Sequence, residues 1–383
     1  MNPKRVILVR HAQSTFNAQK RFQGCCDESV LTEKGHLNAY QTGIALQQFP
    51  VDAIYTSPLQ RTRETAQEIL AALKLDSSRM HLNANLKEID LPAWQGLPFQ
   101  RVREQFADDY RTWKEHPHEF EMASPVENQL LAAPKSVATA NTTTSTLKFN
   151  PIQLLYQQAR RFWQDLPCHE GETILLISHG GTIRALISTA LGINCDRYHL
   201  LQQSNCGISV LNFDSSQPQL EALNLTQHLG EILPKLKDGK LGLRLLLLPV
   251  EQFNKASTQQ LASYLKSIPL DFYFNSDTES VRATAEVILQ EYPSILHLQV
   301  SLQNLFTGWY SIIPFLSLNV LTTGLVIAEC SAIASTLYQI LGLPTDSTAL
   351  LLKPGTLSVL HYPQSINHPV IQALNLDINS FGF

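Results

Sequence analysis

The run Val6-Ile7-Leu8-Val9 constrains this chain most: four apolar, mostly β-branched residues in succession, followed at once by Arg10-His11. A run this short, with no polar alternation, is the pattern of a strand covered on both faces, and hence of a parallel strand inside an α/β sheet. A second run, Thr173-Ile174-Leu175-Leu176-Ile177, ends in Ser178-His179-Gly180-Gly181 and passes into a helix-like stretch from Thr182 to Leu191. Open α/β sheets place their ligands at the carboxyl ends of the strands. Each run therefore delivers a histidine where a ligand is expected. An imidazole beside a permanent guanidinium suits chemistry at a phosphoryl group, the imidazole as nucleophile and the guanidinium as partner of the oxygens.

The strand-like Ala53-Ile54-Tyr55 leads into Ser57-Pro58-Leu59-Gln60-Arg61. Ser57 reads as a helix N-cap, Pro58 as the first helical residue and Gln60 as the capping-box partner. Leu59, Thr62, Ala66, Ile69, Leu70 and Leu73 continue with helical spacing. Arg61 then lies in the first turn, beside a helix N-terminus that favours anions. Arg63 reads as a solvated helix charge.

The segment Leu8 to Asn17 resembles the signature of the histidine phosphatase superfamily, also called phosphoglycerate-mutase-like, with Ala12 where that family has Gly. The resemblance runs through the first half of the chain and implies a three-layer α/β/α catalytic domain. It implies catalytic roles for His11 as nucleophile, His179 as the second histidine on the phosphoryl group, and Glu88, in Glu88-Ile89-Asp90-Leu91, as the general acid, with Asp90 as the alternative. It further implies phosphate-binding roles for Arg10, Arg61 and Asn17, and substrate-binding roles for Gln23 and Gly24. No metal and no cofactor is implied, and the sequence carries no zinc-like Cys/His spacing, EF-hand loop or Walker loop.

The net charge is −4, with no basic cluster, so a nucleic-acid partner is not expected. No stretch has the length and apolarity of a membrane span, and Met1-Asn2-Pro3-Lys4-Arg5 runs straight into the first strand without room for a signal peptide. Cys25, Cys26, Cys168, Cys195, Cys206 and Cys330 form no disulfide framework, which fits a reducing, cytoplasmic setting. Cys25-Cys26 follows Gln23-Gly24, so thiol control at the pocket mouth is one reading and small loop residues the plain one. The expected partner is a small phosphorylated substrate; a homo-oligomer is compatible with the sequence.

The strand–helix alternation breaks at residues 123–148, where Ala, Thr, Ser and Asn dominate; this reads as a flexible surface insertion, either a lid or filler. Beyond it the chain echoes itself. Asp271 to Ser276 and Val281 to Leu289 parallel Asp52 to Leu70; Leu245 to Leu248 parallel Val6 to Val9; Leu325-Val326-Ile327 parallels Leu175-Leu176-Ile177. Leu341-Gly342-Leu343 and Ser358-Val359-Leu360 parallel Leu191-Gly192-Ile193 and Ser209-Val210-Leu211. In this alignment Pro249-Val250 replaces Arg10-His11, Ser280 replaces Arg61, Glu329 replaces His179, and no counterpart of Glu88 is recognisable around Thr307. The expectation is a catalytic domain over 1–224 and a degenerate, non-catalytic phosphatase-like domain over 225–383, able to pack on the first, mediate dimerisation or shape the entrance.

Three functions compete: a metal-independent phosphomonoesterase, a phosphoglycerate mutase and a non-catalytic protein that binds a phosphorylated ligand. Cofactor-dependent mutases follow the acid Glu with Arg-His-Tyr-Gly, whereas Ile89-Asp90-Leu91-Pro92 follows Glu88 here. The stretch Leu201 to Phe213, with Asp27 to Thr32, resembles the 2-carboxy-D-arabinitol-1-phosphatase-like group, whose members also carry two phosphatase-like halves. That resemblance implies a sugar phosphate or sugar-acid phosphate, of the 2-carboxy-D-arabinitol 1-phosphate or xylulose bisphosphate type.

Overall fold

A computed structural model of the chain describes residues 5–123, 148–166, 172–213, 217–237, 239–298, 319–364 and 368–377. Of the proposed insertion (123–148), residues 124–147 lie outside the described residues, as do the surroundings of Thr307; its ends, Ala123 and Lys148, pair antiparallel.

In the first half, β1 (Arg5–Arg10), α1 (Glu33–Leu46), β2 (Ala53–Thr56), α2 (Gln60–Leu73), β3 (Met80–Leu82), α3 (Pro151–Asp165), β4 (Thr173–Ser178), α4 (Gly180–Leu191), β5 (Ile208–Asn212) and β6 (Gln219–Leu225) follow in order. The second half contributes β7 (Gly242–Val250), α5 (Lys255–Leu265), β8 (Phe272–Asn275), α6 (Glu279–Leu289), β9 (Leu296–His297), β10 (Leu321–Glu329), α7 (Cys330–Leu341), β11 (Leu357–Pro363) and β12 (Val370–Leu376). Among the described residues these twelve strands form one sheet in the order β9-β8-β10-β7-β11-β12-β6-β5-β1-β4-β2-β3, and a short pairing of Met122–Ala123 with Lys148–Phe149 stands apart from it. β1, β2, β3 and β4 are mutually parallel; β5 runs antiparallel to β1 and β6 antiparallel to β5.

The architecture is α/β/α. Val6 and Leu8 on β1, with Ile174 and Leu176 on β4, face the layer that holds α3 and α4; Ile7, Val9, Leu175 and Ile177 face the layer of α1 and α2. Alternate side chains of each strand thus feed opposite apolar layers, and this is why neither run shows polar alternation. Each fully buried aliphatic side chain contributes about 1.5–3 kcal/mol. Both layers continue into the second half, through Leu245, Leu247, Val326 and Leu337 on one side and Leu246, Leu248, Ile327 and Leu261 on the other.

The second half repeats the first, strand for strand, read inward from the two sheet edges. The detail extends to single hydrogen bonds. Thr173 N donates to Asp52 Oδ2 at 2.8 Å, and Thr323 N to Asp271 Oδ2 at 2.7 Å. Ser57 N donates to Ile177 O, and Ser276 N to Ile327 O. α4 and α7 both end on a left-handed glycine, Gly192 and Gly342. The halves meet where β6 pairs antiparallel with β12, Leu223 opposite Leu374, two residues that are equivalent under the repeat. Contacts around that pair are reciprocal: Leu220 N donates to Ala349 O and Ile371 N to Leu200 O, both at 2.7 Å. A pseudo-twofold axis therefore passes through the seam.

Among the described residues no helix is long and apolar enough to cross a membrane.

Candidate active site

β1 and β4 are parallel neighbours with Arg10 opposite Ser178. His11 and His179, one residue beyond each strand, consequently emerge side by side, ring centroids 5.3 Å apart at 62°. His11 is 1% exposed and His179 fully buried. His11 Nδ1 lies 2.8 Å from Ala12 O. A carbonyl only accepts, so Nδ1 carries the proton and Nε2 keeps its lone pair. Ala12 has none of the positive φ that would demand glycine, and its N–H donates to Thr65 Oγ1 at 3.0 Å, so the Gly-to-Ala difference is absorbed without strain.

His179 is the N-cap residue of α4, with Nε2 2.9 Å from Ser57 Oγ. This corrects the expectation for Ser57. The helix begins at Gln60, Leu59 is its N-cap, and no side chain of that residue caps it. Ser57 Oγ is committed to His179 and accepts from Leu59 N at 3.3 Å. The first helical N–H, that of Gln60, donates to Asp27 Oδ1 instead, and the Gln60 side chain turns to Glu64. Arg61 still falls in the first turn, as expected, and Arg63 is exposed.

Arg61 is wholly buried. Its Nη1 donates to Cys26 O at 2.8 Å and its Nη2 to Gly24 O at 2.9 Å, so Arg61 also fixes the loop that carries Gln23 and Gly24. Arg10 Nη1 donates to Gln203 O at 2.9 Å. The Nε atoms of Arg10 and Arg61 and the Nδ1 of His179 are buried and find no hydrogen-bond partner among the described residues. Buried polar groups are rarely left so, and these three donors are available to acceptors of a ligand.

Glu88 docks on the N-terminus of α4. Its Oε1 accepts from Ile89 N at 3.0 Å and Thr182 N at 3.2 Å, and its Oε2 from Gly181 N at 3.3 Å. A Cβ at Gly181 would fall 2.4 Å from both Glu88 Oε1 and the Tyr198 hydroxyl, so only glycine allows this approach. Asp90 points elsewhere, accepting from Gln95 Nε2 at 2.8 Å, and burial raises its pKa.

Burial, then the positive charges of Arg10 and Arg61, holds His11 well below the usual imidazole range. Burial, then Arg61, His11 and Arg10, does the same to His179. Burial lowers Arg10 to about 10, against the pull of Glu88, and lowers Arg61 as well. At neutral pH the site therefore holds two neutral imidazoles and two guanidiniums, with the Glu88 side chain close enough to act on both cations. Asn17 Oδ1 accepts from Asn205 Nδ2 at 2.9 Å, and Asn205 Nδ2 also reaches His11 O at 2.9 Å. Gln23 Oε1 accepts from Ser14 Oγ at 2.9 Å. Among the described residues no group of three His, Cys, Asp or Glu side chains is placed to hold a metal ion.

The family model described as the histidine phosphatase superfamily (branch 1) matches residues 6–147 and 126–226, more than half of the chain. The chain belongs to the histidine phosphatase superfamily. A protein of Arabidopsis thaliana named probable 2-carboxy-D-arabinitol-1-phosphatase is 34% identical over 229 residues, 58% of this chain and 42% of that one. The 2-carboxy-D-arabinitol-1-phosphatase of Triticum aestivum is 34% identical over 210 residues, 55% of this chain and 37% of that one. This chain thus spans less than half the length of these two relatives. Phosphoserine phosphatase 1 of Hydrogenobacter thermophilus is 30% identical over 227 residues, 59% of this chain and 95% of that protein.

In the second half of the chain other residues stand at the equivalent strand ends. β10 pairs with β7, Glu329 opposite Val250 and Ala328 opposite Pro249, and Glu329 is the N-cap of α7. Val250 therefore stands at the place of His11, Pro249 at that of Arg10 and Glu329 at that of His179. Ser280 takes the place of Arg61 in the first turn of α6. A further difference was not anticipated from sequence. The β1–α1 connection spans residues 11–32 and carries Asn17, Gln23 and Gly24, whereas the β7–α5 connection is only residues 251–254. Beside that shortened loop opens a cavity of about 340 Å³, lined in part by Val250, Asn254, Thr284 and Gly355.

Sequence reasoning also missed Ser57 as the partner of His179, Thr182 as a donor to Glu88, and Asn205 as the link between His11 and Asn17. Ser57 was visible but was assigned to a cap. Asn205 lay inside the Leu201–Phe213 stretch, where nothing local pointed at β1.

Proposed function

We propose that this chain is a metal-independent phosphomonoesterase that works through a phosphohistidine on His11. The observation that carries this reading is the meeting of two neutral buried imidazoles, two guanidiniums and one carboxyl group around unpartnered donors. In the first step the lone pair on His11 Nε2 attacks phosphorus, the P–O bond to the alcohol breaks, and Glu88 hands a proton to the departing oxygen. In the second, water attacks phosphorus, its proton passes to Glu88, the P–N bond breaks, and phosphate and neutral His11 are regenerated. Arg10, Arg61 and His179 donate to the nonbridging oxygens as charge builds there. Ser57, by donating to His179 Nε2, keeps the proton of His179 on Nδ1, where it meets the phosphoryl group. In this reading Asn17, Gln23 and Gly24 serve the substrate end, Asn17 held by Asn205 and Gly24 by Arg61.

The proposed substrate is a small sugar phosphate or sugar-acid phosphate of the 2-carboxy-D-arabinitol 1-phosphate or xylulose bisphosphate type, a choice supported by the names of two relatives. The test is phosphate release from a panel of 2-carboxy-D-arabinitol 1-phosphate, xylulose bisphosphate, phosphoserine and phosphoglycerates, with and without chelator, and labelling of His11. Transfer of phosphate between positions of 3-phosphoglycerate without release would replace this reading with a mutase. Binding without turnover or labelling would leave a ligand-binding protein.

A further inference from the structure

Two oxygens crowd Gly181 at the N-terminus of α4. A Cβ there would meet Glu88 Oε1 and the Tyr198 hydroxyl at 2.4 Å each, so the two oxygens are no more than twice that distance apart. The negative charge of Glu88 acts on the Tyr198 phenol. Tyr198 thus stands beside the carboxyl group.

The hydroxyl is held in place and has a hydrogen to give. Tyr198 is 1% exposed, its ring edge-on to Trp113 at 5.7 Å and to His199 at 4.9 Å. The Arg184 guanidinium lies over the same ring, 5.6 Å from its centroid, and reaches the hydroxyl. Leu201 O holds Arg184 in turn, accepting from its Nε at 2.7 Å. Burial, then the charge of Glu88, raises the phenol well above its usual range, so it keeps its proton at neutral pH. A guanidinium only donates, so the phenol hydrogen is not spent on Arg184 and can serve an acceptor.

The two oxygens of Glu88 differ. Oε1 accepts from the backbone of Ile89 and Thr182 and has the Tyr198 hydroxyl nearby, whereas among the described residues Oε2 accepts only from Gly181 N, at 3.3 Å. Oε2 is therefore the oxygen with room for a proton that comes and goes. The second half supplies an internal comparison. α7 matches α4 in length and ends on the same left-handed glycine, yet Ser331 and Ala334 stand at the places of Gly181 and Arg184, and no tyrosine occurs between Leu343 and Leu350. That layer keeps its fold without the three residues, so packing alone does not call for them.

We infer that Tyr198 is a positioning residue for the general acid. As Glu88 works, the Tyr198 hydroxyl donates to Oε1 and so leaves Oε2 to carry the proton that is given to the departing oxygen in the first step and taken from water in the second. Arg184 holds the phenol in that orientation. The inference rests on the phosphatase reading and adds a residue to the same site.

The test is Tyr198→Phe in the full chain, which keeps the packed ring and removes only the hydroxyl. On an alkyl phosphate, whose leaving group needs a proton, kcat is expected to fall about tenfold with KM unchanged. Formation of phosphohistidine from p-nitrophenyl phosphate is expected to keep its wild-type rate, which also shows that the variant is folded. In the Glu88→Gln background Tyr198→Phe is expected to add no further loss, because the two residues act as one unit. Tyr156→Phe, which takes a hydroxyl from the ring 6.4 Å away, is expected to leave both substrates unaffected. An unaltered kcat on the alkyl phosphate, equal losses on both substrates, additive losses in the double variant, or the same selective loss in Tyr156→Phe would overturn the inference. Absence of p-nitrophenyl phosphate turnover and of His11 labelling in the wild type would instead overturn the phosphatase reading.

Discussion

Ser57 Oγ lies 2.9 Å from His179 Nε2 and accepts the Leu59 N–H, and in the proposed mechanism, where His179 Nδ1–H meets the phosphoryl group, the hydroxyl hydrogen goes to Nε2. Ser57 thereby sets which nitrogen of His179 faces the pocket. Ser57→Ala should leave the fold intact and lower kcat by about tenfold to a hundredfold, the worth of one buried hydrogen bond with its orienting effect. Ser57→Thr should recover part of it. An unaltered kcat in Ser57→Ala, with circular dichroism unchanged, would remove Ser57 from the positioning role.

Glu88 should matter in proportion to how badly the leaving group needs a proton. Glu88→Gln should cut kcat on an alkyl phosphate by roughly a thousandfold but formation of phosphohistidine from p-nitrophenyl phosphate far less, because nitrophenolate leaves without help. His11→Ala should abolish labelling on both substrates. Equal losses on both in Glu88→Gln would assign Glu88 to binding rather than proton transfer. Asp90→Asn provides the comparison, since Asp90 bonds to Gln95 and not to the α4 terminus.

Much of this site was legible because its parts sit at strand ends. A buried run announces itself by lacking polar alternation, and the residue after it is then fixed at the sheet rim, which located His11 and His179. The internal repeat was legible for the same reason, its apolar runs and left-handed caps surviving while the site residues changed. Ser57 was misread because a Ser-Pro pair before helical spacing is also a cap pattern, and only the fold reveals the imidazole that claims its hydroxyl. Asn205 left no local trace, since its role arises from contacts between segments far apart in sequence. The shared sheet was equally hidden, because pairing of β6 with β12 depends on edges, not on periodicity.

The buried histidines predict an acid-sensitive fold. His11, His179 and His199 are all held well below their usual range, chiefly by burial, and His228 is lowered to about 4. The unfolded chain binds protons at these groups near the ordinary imidazole value of about 6.5, whereas the folded chain does not. Their contribution to stability is therefore complete above that value and is lost as pH falls from it toward the folded values. Tm measured from pH 8 to pH 4 should decline below that point, and inorganic phosphate should offset the decline by occupying the site. A flat Tm across this range would show that these imidazoles protonate without unfolding.

Cys25 should be inert. Its thiol donates to Glu88 O at 2.9 Å, and burial, with Asp90 and Glu88 adding to it, pushes the thiol up to about 12. Thiolate is the reactive form, so iodoacetamide at pH 8 should leave Cys25 unmodified in the native protein. Mass spectrometry after a short pulse checks this, and rapid stoichiometric labelling of Cys25 would restore thiol control at the pocket mouth.

The seam should make the two halves one cooperative unit. Asn224 and Asn375 both adopt positive φ, and each reaches across the seam: Asn224 Nδ2 donates to Gln372 O at 2.7 Å and Asn375 Nδ2 to Glu221 O at 2.8 Å. Asparagine tolerates that backbone region better than alanine, and alanine also strands the buried groups that Asn375 serves. Asn375→Ala should therefore cost about 2–4 kcal/mol although it lies far from the site. Because both apolar layers run through the two halves, heat inactivation of the phosphatase reaction should shift by the same amount as the loss of ellipticity. Coincident transitions in wild type and variant are the expected result. Activity that survives a first, lower transition in Asn375→Ala would mean instead that the second half unfolds alone and the catalytic half stands without it.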